Sequence, residues 1–506
     1  MNIGDLLNNT ASKEPNKTAI VYGSLRLSYK EFNRRVNRLA HALLGMGLRK
    51  GDKVALLSFN SSWFVEIYVA TLKAGGMFTP INSRLTPGEI TYILDNSDAG
   101  VFLFEKEFDQ VVNVIRPAIH NIEHYICIGG NTRPNILDYE QLMSNQPDSE
   151  LNVAVSEKNG CELLYTSGTT GRPKGVVLTH ENVSWNLMNT INGRELRPGQ
   201  ICLIAGPLSH SAALNNHFTT TMALGGTCVI MRQFDPKTFM ELVQNEKVEV
   251  ISGSPTLFNL LLQFPEVGKY DTSSVTQVQS GAAPLRAATK DKLTQLFPNA
   301  VGVYDVYGCT EASPSIAILS GKDSLRKQAC VGKPVSFLQA KLVDNESQKV
   351  RVGQVGEIIC KGPNVMKEYY KNKEATEEAI RDEWLYTGDL GRLDDEGYLY
   401  IVGRKKDMIV SGGENIYPQE IERVLYTHPK IADAAVIGIP DEIWGESVRA
   451  VITVKAGEKM TEDEVIEFCK EHLASYKKPK SIIFVDALPK NPLGKVSKKE
   501  LRAMYG

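Results

Sequence analysis

A chain of 506 residues, 42% hydrophobic, 23% charged and 8% aromatic, is far longer than one compact core and has an ordinary globular composition, which excludes a largely disordered, collagenous or coiled-coil protein. Lysine plus arginine (57) nearly balances aspartate plus glutamate (59), for a formal net charge of -2, so no whole-surface field draws the chain to nucleic acid or anionic lipid. No run approaches the roughly 18 apolar residues of a membrane span, and the N-terminus lacks a basic region followed by an apolar one, so a cytoplasmic protein without integral membrane contact is expected.

The first half alternates short apolar runs with amphipathic helical patterns: KVALLSF, SSWFVEIYVATLKAG, GMFTPIN, TPGEITYILDNSDAG and VFLF. Strands separated by helices of this length predict parallel βαβ units. The same rhythm returns in GQICLIAG, GGTCVIM, KTFMELVQNEKV, EVISGSP and TLFNLLLQFP, and two doubly wound sheets are expected. From about Val331 the texture changes to short alternating strands broken by turns, LQAKLVDN, VGEIICKG and YLYIVG, which reads as antiparallel sheet or partial barrel. A last unit follows GRKKD at Gly403 to Asp407. It opens with a helix led by Pro418, whose apolar face is Ile421, Val424 and Leu425. The strands AAVIGI and VRAVITV follow, then a helix with a capping box from Thr461 to Glu464, then the strand SIIFV; together they can fold as a small α+β domain. The eight cysteines lie at long intervals without a C-x-x-C pair, so buried thiols are expected rather than disulfides or zinc.

The segment richest in chemistry is YTSGTTGRPKG, Tyr165 to Gly175, which packs three glycines, four serine or threonine hydroxyls and one lysine into a loop. Backbone N–H groups, hydroxyl donors and a cation suit phosphate binding, although an ordinary polar loop has the same composition. It is not a Walker A loop: Pro173 stands where the second glycine belongs, and Lys174 is followed by Gly175. His120 and His124 are spaced H-x-x-x-H but lack the glutamate of a zinc-protease helix.

This loop resembles the signature of the adenylate-forming superfamily, in its acyl-CoA synthetase branch. The resemblance continues in order through PLSH (Pro207 to His210), SGAAP (Ser280 to Pro284), YGCTE (Tyr307 to Glu311), YTGD (Tyr386 to Asp389), GRKKDMIVSGGENIYPQEIE (Gly403 to Glu422) and PLGK (Pro492 to Lys495). It implies an α/β fold in which residues 1–405 form a large adenylation domain, with two doubly wound subdomains and a distorted β-barrel. Residues 406–506 would form a small mobile α+β domain pivoting near Lys406. The implied reaction is ATP-dependent. The carboxylate attacks the α-phosphate, pyrophosphate leaves, and the thiol of coenzyme A then takes the acyl group. The protein must stabilise charge on the transferring phosphoryl group with cations and fixed dipoles, and no nucleophilic side chain is needed.

The resemblance assigns the nucleotide to Thr166, Ser167, Gly168, Thr169, Thr170, Gly171 and Lys174 of the loop, to Gly281, Ala282 and Ala283 at the base, and to Asp305, Tyr307 and Gly308. Glu311, with Thr166 completing the shell, is the implied Mg2+ ligand, and Thr310 faces the α-phosphate. Asp389 is expected to accept the ribose hydroxyls with Arg404 beside it, and Lys495 to bridge carboxylate and α-phosphate. Gly412 and Gly413 are expected to line the pantetheine tunnel, and Trp444 with Gly445 to belong to the CoA-bound arrangement. His210 is expected to gate the carboxylate end of the acyl pocket, with a satisfied core histidine as the alternative. The resemblance leaves a homodimer open and implies no nucleic-acid partner.

The stretch from Gly206 to Met231, the implied acyl site, contains no Asp, Glu, Lys or Arg. An amino acid or a dicarboxylate would leave its second charge without a partner there, so an uncharged tail is expected, a medium- or long-chain fatty acid before an aryl or aryl-propenoic acid. Leu214, Phe218, Met222 and the helix TLFNLLLQF are expected as apolar wall, with Asn215, Asn216 and His217 binding a ring hydroxyl or facing water. Transfer to a carrier protein instead of CoA is disfavoured by the Gly412-Gly413 loop. A luciferase-type oxygenase shares these motifs but depends on its substrate, and a non-catalytic nucleotide module would be expected to lack Lys495 or Glu311.

Overall fold

Runs of β-branched residues alternating with capped amphipathic helices become parallel strands and crossover helices in the computed structural model, which describes residues 2–130, 133–166, 172–283, 285–327, 329–490 and 495–506. The chain divides into two compact units, residues 1–340 with 360–385, and residues 341–359 with 386–506.

The first unit holds two large sheets. One has nine strands among the described residues, in the order Lys333–Pro334, Ser315–Leu319, Val303–Gly308, Gln277–Gly281, Val250–Gly253, Ile201–Ile204, Thr227–Ile230, Thr18–Tyr22 and Leu25–Ser28. Its centre, from Val303–Gly308 to Thr18–Tyr22, is parallel, and antiparallel strands close both edges. The other has eight strands among the described residues, in the order Glu368–Tyr369, Lys174–Thr179, Gly160–Thr166, Met77–Ile81, Lys53–Leu57, Ala99–Glu105, His124–Ile128 and Leu137–Asp138. Both are doubly wound α/β sheets, as the rhythm of the sequence predicts, and parallel order places the C-terminal ends of successive strands along one edge, where loops can converge on a ligand.

The chain passes between the units through the strands Gln339–Val343, Gly356–Lys361 and Trp384–Leu393. In the second unit, Trp384–Leu393 pairs antiparallel with Leu399–Arg404. A further sheet runs Glu414–Ile416, Ile409–Ser411, Gly445–Val454 and Ile431–Asp441, with Ser481–Phe484 added parallel to Gly445–Val454. Ile421 and Leu425 of the helix Pro418–Leu425 are fully buried against this sheet. The expected capping box forms: the Thr461 hydroxyl accepts from Glu464 N, and the Glu464 carboxylate accepts from Thr461 N. No helix among the described residues is long and apolar enough to cross a membrane. No disulfide forms among them, and every cysteine except half-buried Cys309 is buried.

One buried acid in the first unit is energetically conspicuous. Glu162, on the strand that leads into the glycine-rich loop, is fully buried. Its oxygens accept from Tyr68 Oη at 2.9 Å and Asn215 Nδ2 at 3.0 Å, both neutral donors. Burial pushes the carboxyl up to about 7, against those two hydrogen bonds, which pull it down. Between the ordinary carboxylate range and about pH 7 the folded chain therefore holds a proton that the unfolded chain has released. The contribution of this group to stability falls as pH rises through that window and is flat above it. Glu162→Gln is expected to be more stable than the parent by up to roughly 3 kcal/mol above about pH 7 and to lose the advantage near about pH 4. Thermal unfolding across that range checks this; a gap between parent and variant that does not widen with pH refutes it.

Candidate functional site

Strand pairing builds the first cluster of predicted residues. Gly160–Thr166 and Lys174–Thr179 are antiparallel neighbours in a register that sets Thr166 opposite Lys174 and Tyr165 opposite Gly175. The loop between them is thus pinned at both ends. Tyr165 Oη donates to Asn96 Oδ1 at 2.7 Å and Tyr92 Oη to the Pro173 carbonyl at 3.2 Å. A Cβ at Gly175 would lie 2.9 Å from Leu163 and 3.1 Å from the Tyr165 ring. Ser167, Gly168, Thr169, Thr170 and Gly171 lie outside the described residues.

The parallel strands Gln277–Gly281 and Val303–Gly308 end side by side, Gly281 opposite Val306. A Cβ on Gly281 would sit 3.0 Å from the Val306 carbonyl, and one on Gly308 would strike the Pro314 carbonyl, so both chain ends need glycine. Ala282 takes a left-handed φ of +70°, and Ala282 and Ala283 are exposed while Tyr307 is half-buried. Asp305 lies deeper than a nucleotide contact needs: it is 4% exposed, its carboxylate 3.3 Å from Lys290 Nζ, and burial raises its pKa while Lys290 pulls it down.

Beyond Gly308 the chain turns through Thr310–Ala312. Glu311 Oε1 accepts from Tyr369 Oη at 2.8 Å, and Lys174 Nζ stands over the same tyrosine ring, 5.1 Å from its centre. Lys174 and Glu311, separate motifs in the sequence, thus meet across one side chain that sequence reasoning missed. Thr310 Oγ1 lies 3.4 Å from Ser211 Oγ, next to His210, which is half-buried with its N–H on the Pro207 carbonyl. Asn60 fixes this corner, donating to the Gly206 carbonyl and accepting from Leu208 N. No group of three His, Cys, Asp or Glu side chains able to hold a metal exists among the described residues. Glu311 and Thr166 carry oxygen donors of the kind a hard cation such as Mg2+ takes while it keeps waters and phosphate oxygens for most of its shell.

The charge-free segment differs from expectation. Ala212–Thr219 is a π-helix, a form that recurs at functional sites. Leu214, Phe218 and Met222 are taken up by the core, with Phe218 edge-on to Phe32 and Tyr68. The helix Pro255–Gln263 likewise turns Leu257, Phe258 and Leu261 into its own cluster. Asn216 and His217 do not face water: Asn216 Oδ1 accepts from Asn186 and Thr190, its Nδ2 donates to Ser315, and His217 is buried and held neutral by burial and by neighbouring Arg194. Arg194 is itself 1% exposed. It donates to the Asn216 carbonyl at 2.9 Å and to Gln277 Oε1 at 3.0 Å, and burial pushes it down to about 10. Two ionisable groups, Glu162 and Arg194, therefore reach the segment from elsewhere, and both are spent on internal partners.

In the second unit Asp389 and Arg404 are register partners on adjacent strands, with Arg404 Nε 2.9 Å from Asp389 Oδ1. Lys406 is exposed in the turn Lys405–Asp407, whose Lys405 pairs with Glu357 and whose Asp407 pairs with Arg502. Gly412 and Gly413 form the two-residue turn joining Ile409–Ser411 to Glu414–Ile416, with φ of +59° and +83°, as a primed hairpin requires. Gly412 N donates to the Trp444 carbonyl at 2.9 Å, and a Cβ on Gly412 would press to 2.6 Å on the Trp444 ring. Lys480 Nζ lies 5.1 Å from that ring's centre. Lys495 is exposed. The basic residues around it in sequence are not merely solvated: Lys477, Lys480, Lys490 and Lys498 pair with Glu420, Asp441, Asp433 and Glu422.

Comparison with known proteins bears on this arrangement. A family model for AMP-binding enzymes matches residues 7–370, and one for the AMP-binding enzyme C-terminal domain matches residues 420–495. The chain is 36% identical over 496 residues to a feruloyl-CoA synthase of an Amycolatopsis species, covering 98% of this chain and 97% of that protein. It is 35% identical over 510 residues to the long-chain-fatty-acid–CoA ligase FadD13 of Mycobacterium tuberculosis, covering 100% and 98%. Its fold matches the crystal structure of the anthranilate CoA ligase AuaEII in complex with anthranoyl-AMP with a TM-score of 0.92 at 27% identity, covering 100% of this chain and 97% of that one.

The hairpin geometry separates its two glycines. Gly412→Ala both strains a left-handed residue and displaces Trp444, whereas Gly413→Ala has nothing within 4 Å of its new Cβ and bears only the backbone cost, about 1 kcal/mol. Gly412→Ala is expected to destabilise the second unit more than Gly413→Ala and to change tryptophan fluorescence, as urea titration followed by emission will show. Equal effects at the two positions contradict the packing of Gly412 on Trp444.

Proposed function

The chain belongs to the AMP-binding, adenylate-forming family as an AMP-forming acid–CoA ligase that uses ATP, Mg2+ and coenzyme A, and on that premise we propose that it activates a monocarboxylic acid with an uncharged tail, a medium- or long-chain fatty acid first of all. The observation that carries this reading is the charge accounting around the acyl segment. Gly206 to Met231 contributes no charged side chain, and Glu162 and Arg194, which reach it, are buried and engaged by Tyr68, Asn215, Asn216 and Gln277. A second charge on the substrate would be desolvated without a partner. An aryl acid is the second reading. It is favoured by Asn215 Oδ1, a buried acceptor without a hydrogen-bond partner, which a phenolic or ring N–H donor would satisfy.

In the proposed mechanism the loop from Thr166 to Lys174 cradles the phosphates, its two ends held by the strand pair. Gly281, Ala282, Ala283, Tyr307 and Gly308 flank the base, and Asp305, buried against Lys290, supports the strand that carries Tyr307. Asp389 exchanges Arg404 for the ribose hydroxyls. Glu311, with Thr166, would hold Mg2+, which neutralises phosphate charge and polarises the reacting phosphoryl group. Lys495 and Thr310 stabilise the α-phosphate as the acid's oxygen attacks and pyrophosphate leaves, and His210 orients the carboxylate. Lys406 is the pivot for the second half-reaction, in which the CoA sulfur attacks the acyl carbon past Gly412, Gly413 and Trp444, and AMP leaves.

Lys495→Ala is expected to lower acyl-AMP formation at least about 100-fold, the typical loss of one transition-state donor, while thioester formation from supplied acyl-AMP is largely spared. Measuring the half-reactions separately decides; equal loss of both with the fold intact removes Lys495 from the adenylation step. For the substrate, octanoate, cinnamate, leucine and succinate are compared by pyrophosphate release with and without CoA. With a fatty-acid site kcat/KM climbs about three- to fourfold per methylene as the tail lengthens; with an aryl site cinnamate exceeds every linear acid. Leucine or succinate as the best of the four overturns the uncharged-tail reading.

A further inference from the structure

The segment from Asn364 to Tyr370 carries no residue assigned above, yet it is hydrogen-bonded to two halves of the candidate nucleotide site. Towards YGCTE, Asn364 Nδ2 donates to the Ala312 carbonyl at 2.8 Å and the Ser315 carbonyl at 3.0 Å, and Met366 N donates to the Glu311 carbonyl at 2.8 Å. Towards the glycine-rich loop, Glu368 and Tyr369 pair with Val177 and Val176. Lys367 N donates to the Val177 carbonyl and Tyr370 N to that of Gly175. The backbone bridge is complete without the Tyr369 side chain, whose own N–H is held by Thr376 Oγ1 at 2.9 Å.

On that bridge the Tyr369 hydroxyl donates to Glu311 Oε1 at 2.8 Å and its ring lies under Lys174 Nζ at 5.1 Å. We propose that Tyr369 is a positioning residue of the ATP site, fixing the Glu311 carboxylate through its hydroxyl so that Oε2 is presented to the cation, and seating Lys174 on its ring towards the phosphates. The proposal rests on the reading of Glu311 as the Mg2+ ligand. Its physical content is orientational. A glutamate side chain alone samples several rotamers and both one- and two-oxygen coordination, whereas a carboxylate with one oxygen committed to a phenol is restricted to the other. The ring holds a lysine by cation–π attraction while keeping it out of a direct ion pair with Glu311, so the carboxylate stays available to metal and the ammonium to phosphate. Partners of this kind, one bond removed from a metal, typically change metal affinity by about 10- to 100-fold when removed.

The test uses the full-length enzyme and Mn2+ as the probe. Free Mn2+ is read by electron paramagnetic resonance in the presence of α,β-methylene ATP, which cannot be cleaved at the reacting bond. Tyr369→Phe deletes the hydroxyl and keeps the ring. It is expected to raise the Mn2+ Kd about tenfold and to raise the Mg2+ concentration for half-maximal ATP–pyrophosphate exchange in parallel, with kcat recovered at saturating Mg2+. A merely structural role would not be rescued by metal. Tyr369→Leu removes the ring as well and is expected to weaken metal-free binding of the nucleotide analogue too, an effect absent from Tyr369→Phe. Glu311→Gln serves as the reference. If it abolishes Mn2+ binding while Tyr369→Phe binds Mn2+ like the parent, the positioning role is overturned and the metal reading stands. If Glu311→Gln itself binds Mn2+ like the parent, the metal reading fails and the proposal with it.

Discussion

The antiparallel pairing of Gly160–Thr166 with Lys174–Thr179 is the constraint on which the candidate site depends. A loop of small residues has many conformations, and ordering it costs roughly 1–2 kcal/mol of backbone entropy per residue. Its strands fix both ends by main-chain hydrogen bonds, independent of what the loop contains. The same pair carries outward consequences: its outer edge receives Glu368–Tyr369, and through that edge it reaches Glu311. Inward, Gly160–Thr166 carries Glu162 to Asn215. The candidate phosphate loop, the candidate metal ligand and the candidate acyl segment are thus three attachments to one strand pair.

Two buried ionisable groups show how the candidate acyl segment is held. Burying a carboxylate or guanidinium among neutral partners is unfavourable compared with an apolar packing of the same volume, and neither Glu162 nor Arg194 finds an opposite charge in its hydrogen bonds. Each instead engages successive positions of the π-helix, Glu162 the side chain of Asn215 and Arg194 the carbonyl of Asn216. A π-helix bonds each carbonyl to the N–H five residues on, and at Asn216 a guanidinium adds a charged donor to the carbonyl.

Legibility from sequence follows how local each interaction is. Strand and helix order and the Thr461 capping box depend on neighbours a few residues apart, and the pattern alone predicts them. The motifs locate Lys174, Glu311, Asp389 and Arg404 because each sits in a distinctive string. What joins them is not local. Tyr369 is 58 residues from Glu311, in a stretch, EYYKN, with no feature distinguishing it from a strand edge. Glu162 lies among the apolar residues of CELL, and Arg194 follows a helix C-terminus, where a solvated cation is the ordinary expectation. For Leu214, Phe218 and Met222, apolar character is legible in sequence, but the surface they cover is decided by Phe32 and Tyr68, far away in the chain.

The pair Asp389 and Arg404 illustrates how a strand register can prepare a site for exchange. Asp389 is nearly buried and Arg404 about half exposed, so the two ends of the ion pair differ in freedom. A partly exposed pair of this kind contributes only about 0–1 kcal/mol, and Arg404 can leave with little loss because water receives it. Asp389 cannot follow, since its N–H is held by Thr387, which is itself bonded to the Ile358 carbonyl. What remains when the arginine swings out is a carboxylate already placed by its strand. In the proposed function the ribose hydroxyls take the arginine's place. On that proposal Arg404 keeps the acid oriented before nucleotide arrives and becomes available to phosphate afterwards.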